Sequence, residues 1–183
     1  METLTPLDPK GPLNLLRQWQ SQRRLTRQLI DAFPEDELFE YKLGGMPSFA
    51  EMVMDLLGVT VPGLWGILTG EWKVIQNLAR QEHRVLPATK KSILWRWDQA
   101  TELINTLWSQ IPAKRFQETD RAFGSAEKRI ELLILEWMDN EMLQRAQAFV
   151  YLSALGIKPG AMETAEPKKR AVKVEWPLFA VSI

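Results

Sequence analysis

This chain of 183 residues contains no cysteine and a single histidine, His83. The missing thiols exclude disulfides, thiolate metal sites and a cysteine nucleophile. His83 falls in a stretch read as a connection, where a lone histidine is ordinarily a surface residue. Net charge is absent as well, because 23 Lys and Arg balance 23 Asp and Glu. Phosphate binding needs a concentrated positive surface, so composition offers no reason to expect nucleic acid as a partner. The local basic clusters, Arg23, Arg24 and Arg27 and then Lys168, Lys169 and Arg170, read as solvated faces or tails. No uninterrupted apolar run approaches the roughly 20 residues of a bilayer span. The opening METLTPLDPKGPL is acidic, polar and proline-bearing, unlike a signal peptide. A soluble cytoplasmic protein without a membrane partner is the expectation.

What is present is helical. The hydrophobic share of 45% is ordinary for a globular domain, and a chain of this length can bury a sizeable core. A first helix is expected from about Leu13 to Phe33, with Leu15, Trp19, Leu29, Ile30 and Phe33 near one face and Pro34 as its stop. Gln22 and Thr26 interrupt that face with polar groups. A second helix opens on Ser48-Phe49-Ala50-Glu51, a capping box, and Pro62 should kink or split it. Glu71 to Ala88 reads as a long connection with a helical piece around Val74 to Ala79. A third helix begins near Thr89 or Ser92 and is closed by Pro112. Ser125 is a plausible cap for the fourth, which Gly156 and Pro159 end. Beyond it, alternation in AVKVEW suggests an extended, apolar tail that packs over the bundle or across an oligomer interface. Trp19, Trp97, Trp108 and Trp137 fall on expected core faces; Trp65, Trp72, Trp95 and Trp176 fall at rims, loops or interfaces.

The most informative stretch is Glu136 to Ile157, within the fourth helix. At about 100° per residue, Ile130, Leu133, Ile134, Trp137, Ala148, Leu152 and Leu155 share one face. Glu141 lies inside that stripe, Gln144 near its edge and Asn140 on its flank. Helices rarely bury such groups without partners, so this level lines a pocket or is satisfied by neighbouring helices.

Two segments then carry a family resemblance. IDAFPEDELFEYKLGGMPSFAEMVMDLLGV resembles the first half of the DinB/YfiT-like bacterial four-helix proteins. ILEWMDNEMLQRAQAFVYLSALGIKPG resembles the last helix of that family. The resemblance covers roughly Leu13 to Gly160. It implies an all-α, up-down-down-up four-helix bundle over residues 1–160, with a long crossover between the second and third helices, followed by the tail 161–183. It also implies a metal centre of three histidines in the usual member, one from the second helix and two from the fourth at i, i+4. Some members resemble metal-dependent thiol transferases or isomerases. Here those three positions match Asp55, Asn140 and Gln144.

Carboxamides are feeble metal ligands beside imidazole, so no cofactor is expected. Asp55 bridged to Asn140 and Gln144 by hydrogen bonds is the simplest arrangement, and it makes Asn140→Leu destabilising. An all-oxygen site of Asp55, Glu141, Asn140 and Gln144 would suit a divalent ion such as calcium, magnesium or manganese. Asp55 and Glu141 as an acid–base pair is a further arrangement; Glu141 paired with Arg145 or a first-helix arginine is its rival. The expected site therefore comprises Asp55, Asn140, Gln144, Glu141, Gln22 and Trp137. The expected role is a non-catalytic binding or interaction module, a homodimer with room for a small molecule in the bundle. The alternative is a divergent thiol transferase or hydrolase with oxygen ligands. A DNA-damage factor is a third reading, suggested only by the family name, and no helix-turn-helix signature accompanies it.

Overall fold

Five α-helices account for most of the residues that the computed structural model describes, which are 11–72 and 86–158. They are α1 (Pro12–Ala32), α2 (Glu35–Glu40), α3 (Phe49–Thr69), α4 (Lys90–Trp108) and α5 (Ile130–Ala154). His83, the piece expected around Val74 to Ala79 and the tail beyond Lys158 lie outside the described residues.

Local chemistry sets most boundaries. Proline at the first position of α1 places its missing N–H where no partner is needed. The capping box of α3 forms as expected: the Ser48 side chain accepts from the Glu51 amide, and the Glu51 carboxylate accepts from the Ser48 amide at 2.6 Å. Thr89 caps α4 by accepting from the Ser92 amide. Gly156, at φ 72°, closes α5: the Ile157 amide donates to the Leu152 carbonyl at 2.8 Å and the Gly156 amide to that of Ser153 at 3.0 Å.

One boundary expectation is narrowed and another corrected. Of the kink or split expected at Pro62, the split does not occur, and α3 runs unbroken through the proline. Both halves are anchored in the core, Val53, Leu56 and Leu57 before the proline and Leu64 and Ile67 after it, which offsets the lost hydrogen bond. Ser125 does not cap α5. The chain from Thr119 to Arg129 instead forms a small antiparallel ribbon, with Thr119 opposite Arg129 and Asp120 opposite Lys128, so α5 starts from the ribbon's second strand. Arg115 anchors the ribbon, donating to the Ile67 carbonyl at 2.9 Å and pairing with Asp120.

The four long helices pack as a bundle in which α1 and α3 each touch both α4 and α5. Arg27 pairs with Asp98 and Gln20 with Asn105, so α1 and α4 run antiparallel. Trp137 packs on Gly63 and the Tyr151 hydroxyl donates to the Pro47 carbonyl, so α3 and α5 are antiparallel too. Trp19 lies against Trp137 while Arg145 reaches Gln22, so α1 and α5 run together. The result is the up-down-down-up order. By length and composition α3 is apolar enough to cross a membrane, yet 72% of its apolar window is buried within the protein. Trp72 is also buried, against the rim position expected of it. A side chain at Gly66 would overlap its indole, so the glycine creates the space that the ring fills.

Candidate functional site

The polar level of α5 faces two neighbours, and the two sides differ. Toward α1, Glu141 is only 1% exposed. Its carboxylate accepts from the Thr26 hydroxyl at 2.7 Å and from the Trp19 indole at 3.4 Å. The Arg23 guanidinium stands 3.9 Å away. Arg145, one turn further along α5, donates to the Gln22 carbonyl at 3.0 Å and to the Gln22 side chain. Arg23 is itself held by α4: its Nε donates to Thr101 Oγ1 at 2.9 Å, its Nη2 to the Trp97 carbonyl at 3.2 Å, and it stacks over the Trp97 ring at 3.8 Å. The Trp97 indole returns a bond to the Arg23 carbonyl at 3.1 Å.

Burial pushes the Glu141 carboxyl up, against the lowering pull of Arg23, Thr26, Arg145 and Trp19. Burial likewise brings Arg23 down to about 10, with Glu141 and Asp98 working the other way. Each group thus tolerates burial because the other is present. Glu141 paired with a first-helix arginine is the arrangement observed. The basic cluster at Arg23, Arg24 and Arg27 is not simply a solvated face: Arg23 is buried, and Arg27 holds Asp98 through two hydrogen bonds. The missed signal was periodicity, since Arg23 follows Trp19 by four residues and precedes Thr26 by three, on the buried face of α1.

Toward α3 the expected site is looser. The contacts Gly63–Trp137 and Pro47–Tyr151 bracket the level of Asp55 on α3 and of Asn140 and Gln144 on α5. Asp55 and Asn140 are exposed. The Gln144 side-chain oxygen is buried without a hydrogen-bond partner. Among the described residues no hydrogen bond joins these three side chains, which corrects the expected bridge. Partial burial, then Glu51 one turn away, raises the Asp55 carboxyl. Glu141 is engaged on the other side of the helix, by Thr26, Trp19 and Arg23. Gln22 belongs to the α1 side, as the acceptor for Arg145, and Trp137 forms the wall between the two sides.

These donors do not fit a zinc or nickel ion. One carboxylate and two carboxamides stand where imidazoles would be needed. Among the described residues, no three His, Cys, Asp or Glu side chains gather as a metal site requires. The all-oxygen alternative needed Glu141 beside Asp55, and Glu141 points to α1 instead.

Comparison with known proteins gives a family. The sequence profile of the DinB family matches residues 2–174. No curated protein matches the chain.

Proposed function

The chain belongs to the DinB family, and from that premise we propose that it is a cytoplasmic binding or interaction module rather than a metal-dependent enzyme. The observation that carries this reading is the direction of Glu141. The carboxylate that an all-oxygen site would need from α5 is buried against α1 and engaged there by Thr26, Trp19 and Arg23. What is left at the seam is Asp55, Asn140 and the unpartnered Gln144 oxygen. Carboxamide oxygens bind transition ions weakly, but they accept hydrogen bonds well. Such acceptors favour a small molecule that donates hydrogen bonds.

Elemental analysis of the purified protein, with thermal melts in the presence and absence of EDTA, tests the reading. The expectation is no stoichiometric metal and an unchanged melting temperature. A metal at full occupancy, with a melting temperature that falls sharply on chelation, would support the rival: a divergent thiol transferase or hydrolase with oxygen ligands.

A further inference from the structure

The helix α5 is apolar on two opposite sides. Its inner face, from Ile130 to Leu152, fills the core. Its outer face carries Leu132, Leu135, Met142, Leu143 and Val150, all exposed, with Ala146 between them. Leu143 and Val150 are 62% and 53% exposed. The other long outer faces differ: apart from Leu13 and Trp95, exposed positions on α1 and α4 are mainly polar. A contiguous apolar stripe on an exposed helix marks a contact surface. Its spacing narrows what fits there. Leu132, Asp139 and Ala146 recur every seven residues, as do Leu135 and Met142, and Leu143 and Val150. A seven-residue repeat holds a seam on one side over several turns, and the surface that fits such a seam is another helix. Charge narrows it further. The acids beside the stripe are neutralised within the chain, Glu131 by Arg129 and Glu136 by Lys128. The stripe itself holds one charge, the exposed Asp139. Such a face selects no strongly cationic partner; it fits a helix as apolar and as nearly neutral as itself.

We propose that a second copy of the chain covers this stripe, with the two α5 helices antiparallel about a two-fold axis near Met142 and Leu143. A closed pair of identical faces needs a two-fold axis, which leaves a parallel and an antiparallel choice. A parallel pair in register sets each Asp139 against its own copy, two like charges at one level. The antiparallel pair avoids this. The alignment that places Asp139 opposite Ala146, the smallest side chain of the stripe, also places Leu135 opposite Val150 and Met142 opposite Leu143. Each large apolar side chain of the stripe from 135 to 150 then meets another. The two Asp139 residues stand about 10 Å apart along the helix axis, seven residues at 1.5 Å each. The stripe is about 27 Å long and about 10 Å across. Two such faces sit at the small end of specific interfaces, so the dimer is reversible rather than obligate.

The absence of cysteine lets the register be read in the full chain. Leu143→Cys protein should form a disulfide-linked dimer on mild oxidation, because position 143 lies beside the axis. Val150→Cys protein should not, because the two copies of that position stand about 22 Å apart. Mixing Val150→Cys with Leu135→Cys protein should restore the link. In sedimentation equilibrium the unaltered chain should dimerise reversibly. Leu143→Glu should leave it monomeric, and Asp139→Leu should tighten the dimer about tenfold by taking a carboxylate out of an apolar contact. All of these positions are exposed, so the substitutions leave the core intact. A chain that stays monomeric at high micromolar concentration would overturn the proposal, as would a dimer that neither Leu143→Glu nor Asp139→Leu alters. Self-linking of Val150→Cys as fast as that of Leu143→Cys would overturn the antiparallel register in favour of a parallel one.

Discussion

The two flanks of α5 carry similar residues and end in opposite states. On the α1 flank a glutamate, two arginines, a threonine and a glutamine engage one another, with only the Arg23 Nη1 left without a hydrogen bond, 3.9 Å from the Glu141 carboxylate. On the α3 flank an aspartate, an asparagine and a glutamine do not. The difference lies in the neighbour. The buried face of α1 presents Arg23 and Thr26 as donors to a carboxylate, and α4 holds Arg23 in place. The facing part of α3 presents apolar side chains, Gly63 and a single exposed carboxylate. A buried polar group is stabilising only where the opposite helix supplies its complement. One flank is therefore a structural clamp, and the other keeps unmet hydrogen-bonding capacity of the kind a ligand can use.

Breaking the clamp should have the largest effect. Glu141→Leu leaves Arg23 charged and buried, and is expected to cost about 3–5 kcal/mol in urea denaturation. A cost below about 1 kcal/mol would mean that the clamp contributes no more than ordinary surface polarity.

The boundary between the flanks comes next. A Cβ at Gly63 overlaps the Trp137 indole, so Gly63→Ala should cost about 1–3 kcal/mol. Combining it with Trp137→Ala should cost less than the two single changes added together, because the overlap disappears. Strict additivity would show that the ring does not rest on this glycine.

A pH series sharpens the clamp side. The folded-state pKa of Glu141 lies above its ordinary 4.5, so the folded protein holds this proton more tightly than the unfolded chain. Its contribution is fully present below 4.5 and is lost as pH rises through the raised value. Glu51 and Asp120 are lowered, Glu51 chiefly by Lys42, and Asp120 by the Arg121 amide and Arg115 in spite of burial. Their contributions are present at neutral pH and lost as pH falls through the lowered values. Glu141→Gln should therefore flatten the decline in stability above pH 4.5 and leave the acid limb unchanged. A decline that persists in this variant would assign it to another group.

The smallest effects belong to the α3 flank. Asn140→Leu, expected from sequence to disrupt a bridge, should change stability by no more than about 0.5 kcal/mol, since Asn140 is exposed and makes no bond to the other two. Gln144→Leu removes a buried oxygen without a partner and should be neutral or slightly stabilising. A loss of 2 kcal/mol or more from either, roughly the value of a buried charge-assisted bond, would erase the contrast between the flanks.

Much of this was legible in the chain itself. The α3 capping box needs only Ser48 and Glu51 three residues apart. The end of α5 needs only Gly156, whose left-handed backbone few other residues accept. The inner face of α5 followed from spacing, and its polar level was located correctly. The partners of that level were not legible. A helical wheel places Glu141 on a face but does not say which helix meets it, and Arg23 read as part of a surface cluster until α4 was seen to enclose it. The exposed stripe from Leu132 to Val150 was hidden for a related reason: an apolar residue on a wheel looks the same whether it is covered or open.

The sequence alone determined the four long helices, the bundle class and the absence of histidine and thiolate from the level of Asp55, Asn140 and Gln144, because all of these depend on residue identity or on spacing within a few turns; the short α2 was read as a connection. Only the tertiary structure decided that Glu141 turns to α1, that Pro62 is carried within one helix and that Gln144 is left without a partner. Each of those depends on which side chains a neighbouring helix brings into the space, and contacts between residues as far apart as Thr26 and Glu141 exist only after the chain has packed.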